Sequence, residues 1–218
     1  MRTAQAFDVI VDALKLWWQD WVNQVVVSLA AILLSLTVVL APAAMFGIYQ
    51  ECMALTHKTR TGLLGFWQGF KSYFRQNLTW GLINLIVLLV LVTNTWFYYK
   101  SQFSFAPILT FLMIGLGAFW IVWQSFTLAC FFLQEEKTLK LAWKNGLAIM
   151  LGQPGYALII GLTILAVLVL SFSLYIPLFL GSLPLVALLG FRAVQATLPP
   201  IETEINPETQ GKDNSAIL

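Results

Sequence analysis

The sequence predicts an all-α, polytopic membrane helix bundle, and two observations carry this prediction. First, five apolar blocks contain almost no charge, and each is long enough to cross a bilayer, which takes about 20 apolar residues. Second, only 10% of the 218 residues are charged, against about 25% in a soluble domain. We therefore expect one membrane domain over residues 1–198 and a disordered polar tail over residues 199–218. The five blocks cover residues 25–49, 78–98, 106–133, 156–175 and 176–198.

The first apolar block is interrupted by Pro42, which affects how many times the chain crosses the membrane. Proline suits the first turn of a new helix and disfavours a helical residue before it. A turn at Ala41 and Pro42 predicts one helix over about residues 22–40 and a second over about residues 43–57. The second helix is roughly 22 Å long at 1.5 Å per residue, so a full crossing and a re-entrant entry both remain open.

The distribution of basic residues favours six passes over five. With six passes, every lysine and arginine except Lys100 lies on one side of the membrane. With five passes, Arg2 and Lys15 join Lys100 on the opposite side. Because basic residues concentrate on the cytoplasmic side, the sequence predicts a multi-pass protein of the cell membrane with both termini in the cytoplasm.

The N-terminal segment, residues 4–22, has the pattern of an amphipathic helix. Its apolar positions recur at three- and four-residue spacing, and polar residues occupy the other face. Such a helix lies in the membrane interface or packs on the body of the protein, and the sequence leaves both open. The apolar positions are Phe7, Ile10, Val11, Leu14, Trp17, Trp18 and Trp21.

Two later segments, residues 62–77 and 137–152, repeat this pattern. Each of the three copies leads through Asn or Gln into an apolar block, at Gln24, Asn77 and Gln153. With six passes, all three copies lie on the cytoplasmic face, where basic side chains meet anionic headgroups. They form a collar for a soluble partner, or they only anchor the helices through interfacial aromatic residues.

Few polar side chains lie within the apolar blocks, and such residues are the usual functional candidates in a membrane protein. Glu51 is the main candidate. Asn84 and Gln124 also lie inside apolar blocks, where hydrogen bonding between helices is the simpler role. Arg192, near the inner end of the last block, is expected to reach lipid headgroups or to pair with Glu51.

The residue types that catalysis and metal binding require are scarce. The chain has one histidine, His57, and two cysteines, Cys52 and Cys130, without CxxC or Cys/His spacing. We therefore expect no disulfide, no metal site and no cofactor, and no enzymatic activity. The basic residues are dispersed near the membrane, which argues against a nucleic-acid surface.

The glycines yield two structural expectations. Gly62 and Gly65 are assigned to a loop that follows no strand, so they do not form a phosphate-binding loop. Gly115 and Gly117 permit a close approach between helices in the third block.

Two stretches resemble the YesL-type family of bacterial membrane proteins. Residues 42–49, Pro-Ala-Ala-Met-Phe-Gly-Ile-Tyr, are similar to the Pro-x-x-Ala-Leu-Tyr turn of that family, and residues 66–77 are similar to its FF-x-x-FK-x-NF-x-Q segment. Tyr73 stands where the family has Asn, and residues 59–62 replace its Arg-Gly-Glu. The similarity covers about residues 5–90. The family has no established activity, but its members often accompany carbohydrate-uptake systems, and the resemblance implies such a link here.

Together these observations predict a non-enzymatic accessory or scaffold protein. Its expected partners are the lipid bilayer and a membrane transport protein or cytoplasmic protein. The alternative is a small transporter or channel subunit, which requires Glu51, Asn84 and Gln124 to converge on one polar path. An intramembrane enzyme would need Glu51 and His57 to act together, although they lie on different helical turns.

Overall fold

The computed structural model describes residues 2–37, 39–59, 61–174 and 181–198. All regular structure in this part of the chain is helical, which confirms the predicted class. The predicted polar tail, residues 199–218, lies outside the described residues. The helices that the structure describes are α1 Arg2–Gln19, α2 Trp21–Ser35, α3 Ala41–Thr56, α4 Leu63–Ser72, α5 Phe74–Lys100, α6 Ala106–Leu133, α7 Leu139–Gly152, α8 Pro154–Leu174 and α9 Ser182–Thr197.

Three helices, α5, α6 and α8, are long and apolar enough to cross a membrane. Helix α5 has 27 residues and α6 has 28, so each extends roughly 40 Å at 1.5 Å per residue. Helices α2 and α9 are apolar but shorter, with 15 and 16 residues. The described helices therefore fit a membrane protein, with fewer full-length spans than the six predicted passes.

The long helices α5 and α6 each have a buried half and an exposed half. No residue is buried between positions 85 and 100 of α5 or between positions 107 and 121 of α6, although both stretches are largely apolar. The exposed end carries aromatic side chains, and the Lys100 ammonium lies 5.1 Å from the ring centre of Trp96. Aromatic and basic side chains together are typical of a membrane interface.

The protein core surrounds the buried half of α6. Phe46 of α3 contacts Phe131 of α6 with ring centres 5.2 Å apart, and Tyr49 of α3 contacts Phe191 of α9 with ring centres 5.5 Å apart. All four rings are buried. Because such aromatic pairs add about 0.5–1.5 kcal/mol each beyond the area they bury, this cluster fixes α3, α6 and α9 against one another.

Helices α2 and α3 form an antiparallel pair. Gln24, near the start of α2, hydrogen-bonds to Glu51, near the end of α3. The predicted break between the two helices is present, and Pro42 lies in the first turn of α3. Helix α2 ends at Ser35 rather than near residue 40, so the connection is longer than predicted.

The start of α3 lies beside the first third of α5. A Cβ atom placed on Gly81 of α5 would collide with the Pro42 ring. Gly81 follows the first residue of α5, Phe74, by seven positions. Seven residues correspond to roughly 10 Å of a helix that is roughly 40 Å long. Helix α3 therefore begins well short of the far end of α5.

One non-helical residue separates each of the amphipathic helices α1, α4 and α7 from the apolar helix that follows it. These residues are Asp20, Tyr73 and Gln153, with φ and ψ of −130° and 29°, −116° and 29°, and −137° and 65°. The first two breaks fall inside the predicted segments 4–22 and 62–77. The sequence repeat thus corresponds to three helix–break–helix units. In the first two units, the predicted segment ends several residues after the amphipathic helix does.

Close contacts between helices occur at other glycines than those predicted. Gly65 lies inside α4, not in a loop, and Gly69 of α4 packs directly against Gln50 of α3. A Cβ atom on Gly115 or Gly117 would meet no atom within 4 Å, so none of the described helices approaches α6 there. Gly65 and Gly69 form a small-xxx-small pattern, which lets two helices approach closely.

Candidate functional site

Gln124 lies at the centre of a buried hydrogen-bond network. Its Oε1 atom accepts two indole N–H groups, from Trp80 at 2.8 Å and from Trp143 at 3.1 Å. These three residues belong to α6, α5 and α7, so one amide oxygen joins three helices. These two donors also fix the orientation of the Gln124 amide. If the amide were flipped, its NH₂ group would face the two indole N–H groups, and donors would face donors.

Asn84 belongs to the same network. Its Nδ2 donates to the Trp80 carbonyl at 2.8 Å, and its Oδ1 accepts from Trp120 Nε1 at 2.9 Å. Both Asn84 and Gln124 are nearly buried. The structure thus brings these two predicted candidates together through the Trp80 residue that lies between them, in the role of hydrogen bonding between helices.

A cavity of about 600 Å³ lies beside this network. It is bordered by the end of α2, by the first half of α3 and by α5, α6, α8 and α9, and its walls are almost entirely apolar. Asn84 and Gln124 line it, but Glu51 does not. The three residues that the transporter alternative required therefore do not converge on this cavity.

Glu51 instead forms a buried pair with Gln24. Gln24 Nε2 donates to Glu51 Oε2 at 3.1 Å, and both residues are 0% exposed. The other carboxyl oxygen, Glu51 Oε1, and the amide oxygen, Gln24 Oε1, are both buried without a hydrogen-bond partner. An unpartnered buried polar atom costs about 1–3 kcal/mol, so an ionised Glu51 is poorly satisfied here.

Further oxygen atoms lie near this pair. Asp20 is 7% exposed; its Oδ1 accepts from Asn23 Nδ2 at 2.9 Å, and its Oδ2 has no partner. Gly65 of α4 lies against both the Thr61 hydroxyl and the backbone of Glu51. Within the described residues the one ion pair joins Lys15 and Asp12 at the surface of α1.

The sequence indicated Glu51 but not its partner. Gln24 was assigned to the end of an amphipathic repeat, whereas the structure places it in the second turn of α2. Gln24 and Ser28 are polar residues four positions apart in an apolar stretch, and both are fully buried. Since residues four apart share one helix face, this spacing was the available signal for a polar contact.

Arg192 does not pair with Glu51. Its Nη1 donates to Gln195 Oε1 at 3.3 Å on the same helix, and its Nε atom is buried without a partner. Of the two expected roles, the ion pair is not formed, and contact with lipid headgroups stays a prediction.

The sequence predicts no disulfide and no metal site. Cys52 and Cys130 are both buried free thiols. Over the described part of the chain, no three His, Cys, Asp or Glu side chains are grouped to hold a metal ion.

Helix α1 packs lengthwise on α9. Gln5 Nε2 donates to the Ala196 carbonyl, and Trp17 Nε1 donates to the Gly181 carbonyl, both at 2.9 Å. The two helices are therefore antiparallel. The smallest residues of α1 face the protein, because Ala allows a close approach, while several large apolar residues remain outside. Buried are Ala6, Val9 and Ala13, and exposed are Phe7, Val11, Leu14 and Trp18.

Helix α4 also has an outer apolar face. Leu64 and Trp67 are exposed, and the Lys71 ammonium lies 5.6 Å from the Trp67 ring centre. Its inner face packs on α3, where Gly47 lies against Phe66. Helices α1 and α4 thus each pack through one face and present other large aromatic residues, Trp18 and Trp67, outward.

Comparisons of the chain with family models, with curated proteins and with solved structures find no match. The resemblance to the YesL-type family therefore stays a prediction that rests on residues 42–49 and 66–77.

Proposed function

We propose that this chain is a non-enzymatic accessory protein of the cell membrane, which binds a transport protein or a cytoplasmic protein through a collar. The collar consists of helices α1, α4 and α7. The observation that carries the proposal is the set of three helix–break–helix units, because each places an amphipathic helix directly before an apolar one. The carbohydrate-uptake link rests on the family resemblance alone.

The threading that we propose keeps both termini in the cytoplasm. Helix α5 leads outward to the aromatic residues around Lys100, α6 returns, α8 leads outward again and α9 returns. The α2–α3 pair enters and leaves on the cytoplasmic side and reaches only part of the depth. The contact between Pro42 and Gly81, near the start of α5, supports this re-entrant arrangement. In this arrangement, as with six passes, every lysine and arginine except Lys100 lies on the cytoplasmic side.

The outer faces of the collar combine aromatic and basic side chains. Trp18 and Lys15 on α1, Trp67 and Lys71 on α4, and Lys144 on α7 are exposed. Such faces bind at a lipid interface through buried apolar area and attraction to anionic headgroups. A partner that docks there would use the same aromatic side chains as anchors.

Photocrosslinking tests this proposal at two exposed aromatic positions. A photoreactive amino acid replaces Trp67 in the collar or, as the control, Phe111 in the exposed half of α6. We expect one protein to be crosslinked at position 67 in stoichiometric amount and only lipid adducts at position 111. Lipid adducts alone at both positions, across growth conditions, would leave anchoring as the role of the collar and overturn the proposal.

A small transporter or channel subunit is the second candidate, and the 600 Å³ cavity favours it. Its walls are apolar, and the amide oxygens of Gln124 and Asn84 are engaged in the indole network. An apolar solute fits these walls better than an ion does. Flux of an apolar dye through proteoliposomes tests this candidate, which would lose its basis if flux equals that of empty liposomes.

A further inference from the structure

Within the described residues, no cation pairs with the buried carboxyl of Glu51. Asp20, the non-helical residue directly before α2, is a second acidic side chain that is nearly buried. Cys52, the next residue on α3, donates to the Pro184 carbonyl at 3.6 Å. In the part of the chain that the structure describes, the charged or titratable groups of the other helices that pack on α3 do not form an ion pair with Glu51; they are Arg192 of α9, Lys71 of α4, Arg75, Tyr98, Tyr99 and Lys100 of α5, and Cys130 of α6.

Removing a carboxylate from water without a paired cation is costly, and in practice such a group takes up a proton instead. The hydrogen-bond pattern around Glu51 leads to the same result. Gln24 supplies one donor to Oε2, and one unpartnered oxygen remains on each group. A neutral carboxyl carries an O–H donor, which can bond to the Gln24 oxygen. One proton therefore satisfies both unpartnered atoms.

We infer that Glu51 and Gln24 form a proton-binding site, in which a neutral Glu51 carboxyl and the Gln24 amide are joined by two reciprocal hydrogen bonds. The proton comes from water and forms an O–H bond at Glu51 Oε1. Its loss leaves a buried negative charge and breaks one of the two bonds between α2 and α3. The site thus makes the packing of the re-entrant pair depend on proton concentration. This inference does not depend on the collar or its partner.

Infrared spectroscopy of the purified full-length protein tests the inference, in a detergent without ester groups. A neutral carboxyl has its own C=O stretching band, separate from the bands of ionised carboxylates and amides. We expect this band at neutral pH in the wild type and in Glu135→Gln, where an exposed carboxyl is removed, and we expect it to be lost in Glu51→Gln. Absence of any band that depends on Glu51 at neutral pH would overturn the inference.

Two further measurements distinguish a shared proton from a bound metal cation and from a carboxyl that is protonated on its own. Sodium chloride added at constant pH should leave the band unchanged. Loss of the band on this addition would mean that a metal cation takes the place of the proton in the site. In Gln24→Leu the band should shift to higher wavenumber, because the carbonyl loses its amide donor. An unshifted band would show that Glu51 is protonated without the amide, and the paired site would be wrong.

Stability against pH provides a check on the folded protein. Glu51→Gln replaces the neutral carboxyl with a neutral amide of the same shape, so this variant should fold. We expect the thermal unfolding temperature of the wild type to fall as the band disappears at higher pH, and that of Glu51→Gln to show a smaller fall. Equal falls in both proteins would contradict a role of the proton in packing.

Discussion

Trp80 and Trp143 donate their indole N–H groups to one shared atom, Gln124 Oε1, although they belong to α5 and α7. This relationship makes Gln124 the connection between two helices that lie on either side of α6. Hydrogen bonds of this kind hold helices together in a membrane, where apolar surface alone provides little preference between neighbours.

Replacing Gln124 with Leu should destabilise the protein more than removing either donor alone. The change leaves two indole donors without an acceptor, at about 1–3 kcal/mol for each buried group. Trp143→Phe removes one donor and keeps Gln124 bonded to Trp80, so it is the matched control. Thermal unfolding in detergent measures both variants, and a Gln124→Leu protein as stable as Trp143→Phe would contradict the shared-acceptor account.

Gly47→Ala should disrupt the packing of α3 on α4. Its added Cβ would lie 2.7 Å from a ring carbon of Phe66 and 2.8 Å from the Phe66 carbonyl oxygen. A backbone atom cannot move aside as a side chain does, and overpacking of this kind costs about 1–3 kcal/mol.

Gly115→Ala is the control for this prediction, because its Cβ would meet no atom within 4 Å. Alanine is also the better helix former by about 1 kcal/mol. The unfolding temperature should therefore fall for Gly47→Ala and stay equal or rise for Gly115→Ala. The reverse order would show that the described helix contacts are wrong.

Ala13→Phe should release α1 from the protein body. Ala13 is fully buried, whereas the next residue, Leu14, is exposed. A large side chain at position 13 has no space, but Leu14→Phe keeps an apolar residue on the outer face. Limited proteolysis should cleave the N-terminal segment faster in Ala13→Phe only, and equal cleavage of both variants would argue against packing on α9.

Lys137→Met should weaken the end of α6. The Lys137 ammonium donates to the carbonyls of Phe132 and Gln134 at 2.7 and 2.6 Å. Cations at a helix C-terminus contribute about 0.3–1 kcal/mol. Lys140→Met, at an exposed position of α7, is the control. Equal unfolding temperatures for the two variants would mean that the contact contributes nothing to stability.

The sequence predicted the helical class and the position of the long apolar helices, because runs of apolar residues without charge leave few alternatives in a chain of this length. It also predicted the break before α3, since proline removes a backbone donor and fixes φ. The ends of the amphipathic segments were less accurate. Asp20 and Tyr73 interrupt continuous periodic patterns. Tyrosine does not mark a helix end, whereas aspartate is a common N-cap residue, and the periodic pattern obscured the boundary at Asp20.

The polar pairs were harder to predict than the helices. Glu51 was evident as an acidic residue in the predicted helix over about residues 43–57, but its partner depends on how α2 turns back on α3. The connection between Asn84 and Gln124 runs through the indole of Trp80, which belongs to an aromatic-rich stretch with no sign of a specific bond. Contacts between distant segments follow from tertiary packing, which spacing along one helix does not contain.

Cysteine accessibility in intact cells tests the proposed threading most directly. Single substitutions at Ser101, Lys58 and Thr37 are treated with a membrane-impermeant maleimide, and the two native cysteines are buried. We predict labelling of Ser101→Cys from outside, labelling of Lys58→Cys only after permeabilisation, and no labelling of Thr37→Cys from outside. Labelling of Thr37→Cys from outside would show that α2 crosses the bilayer fully, and labelling of Ser101→Cys and Lys58→Cys from the same side would contradict the account.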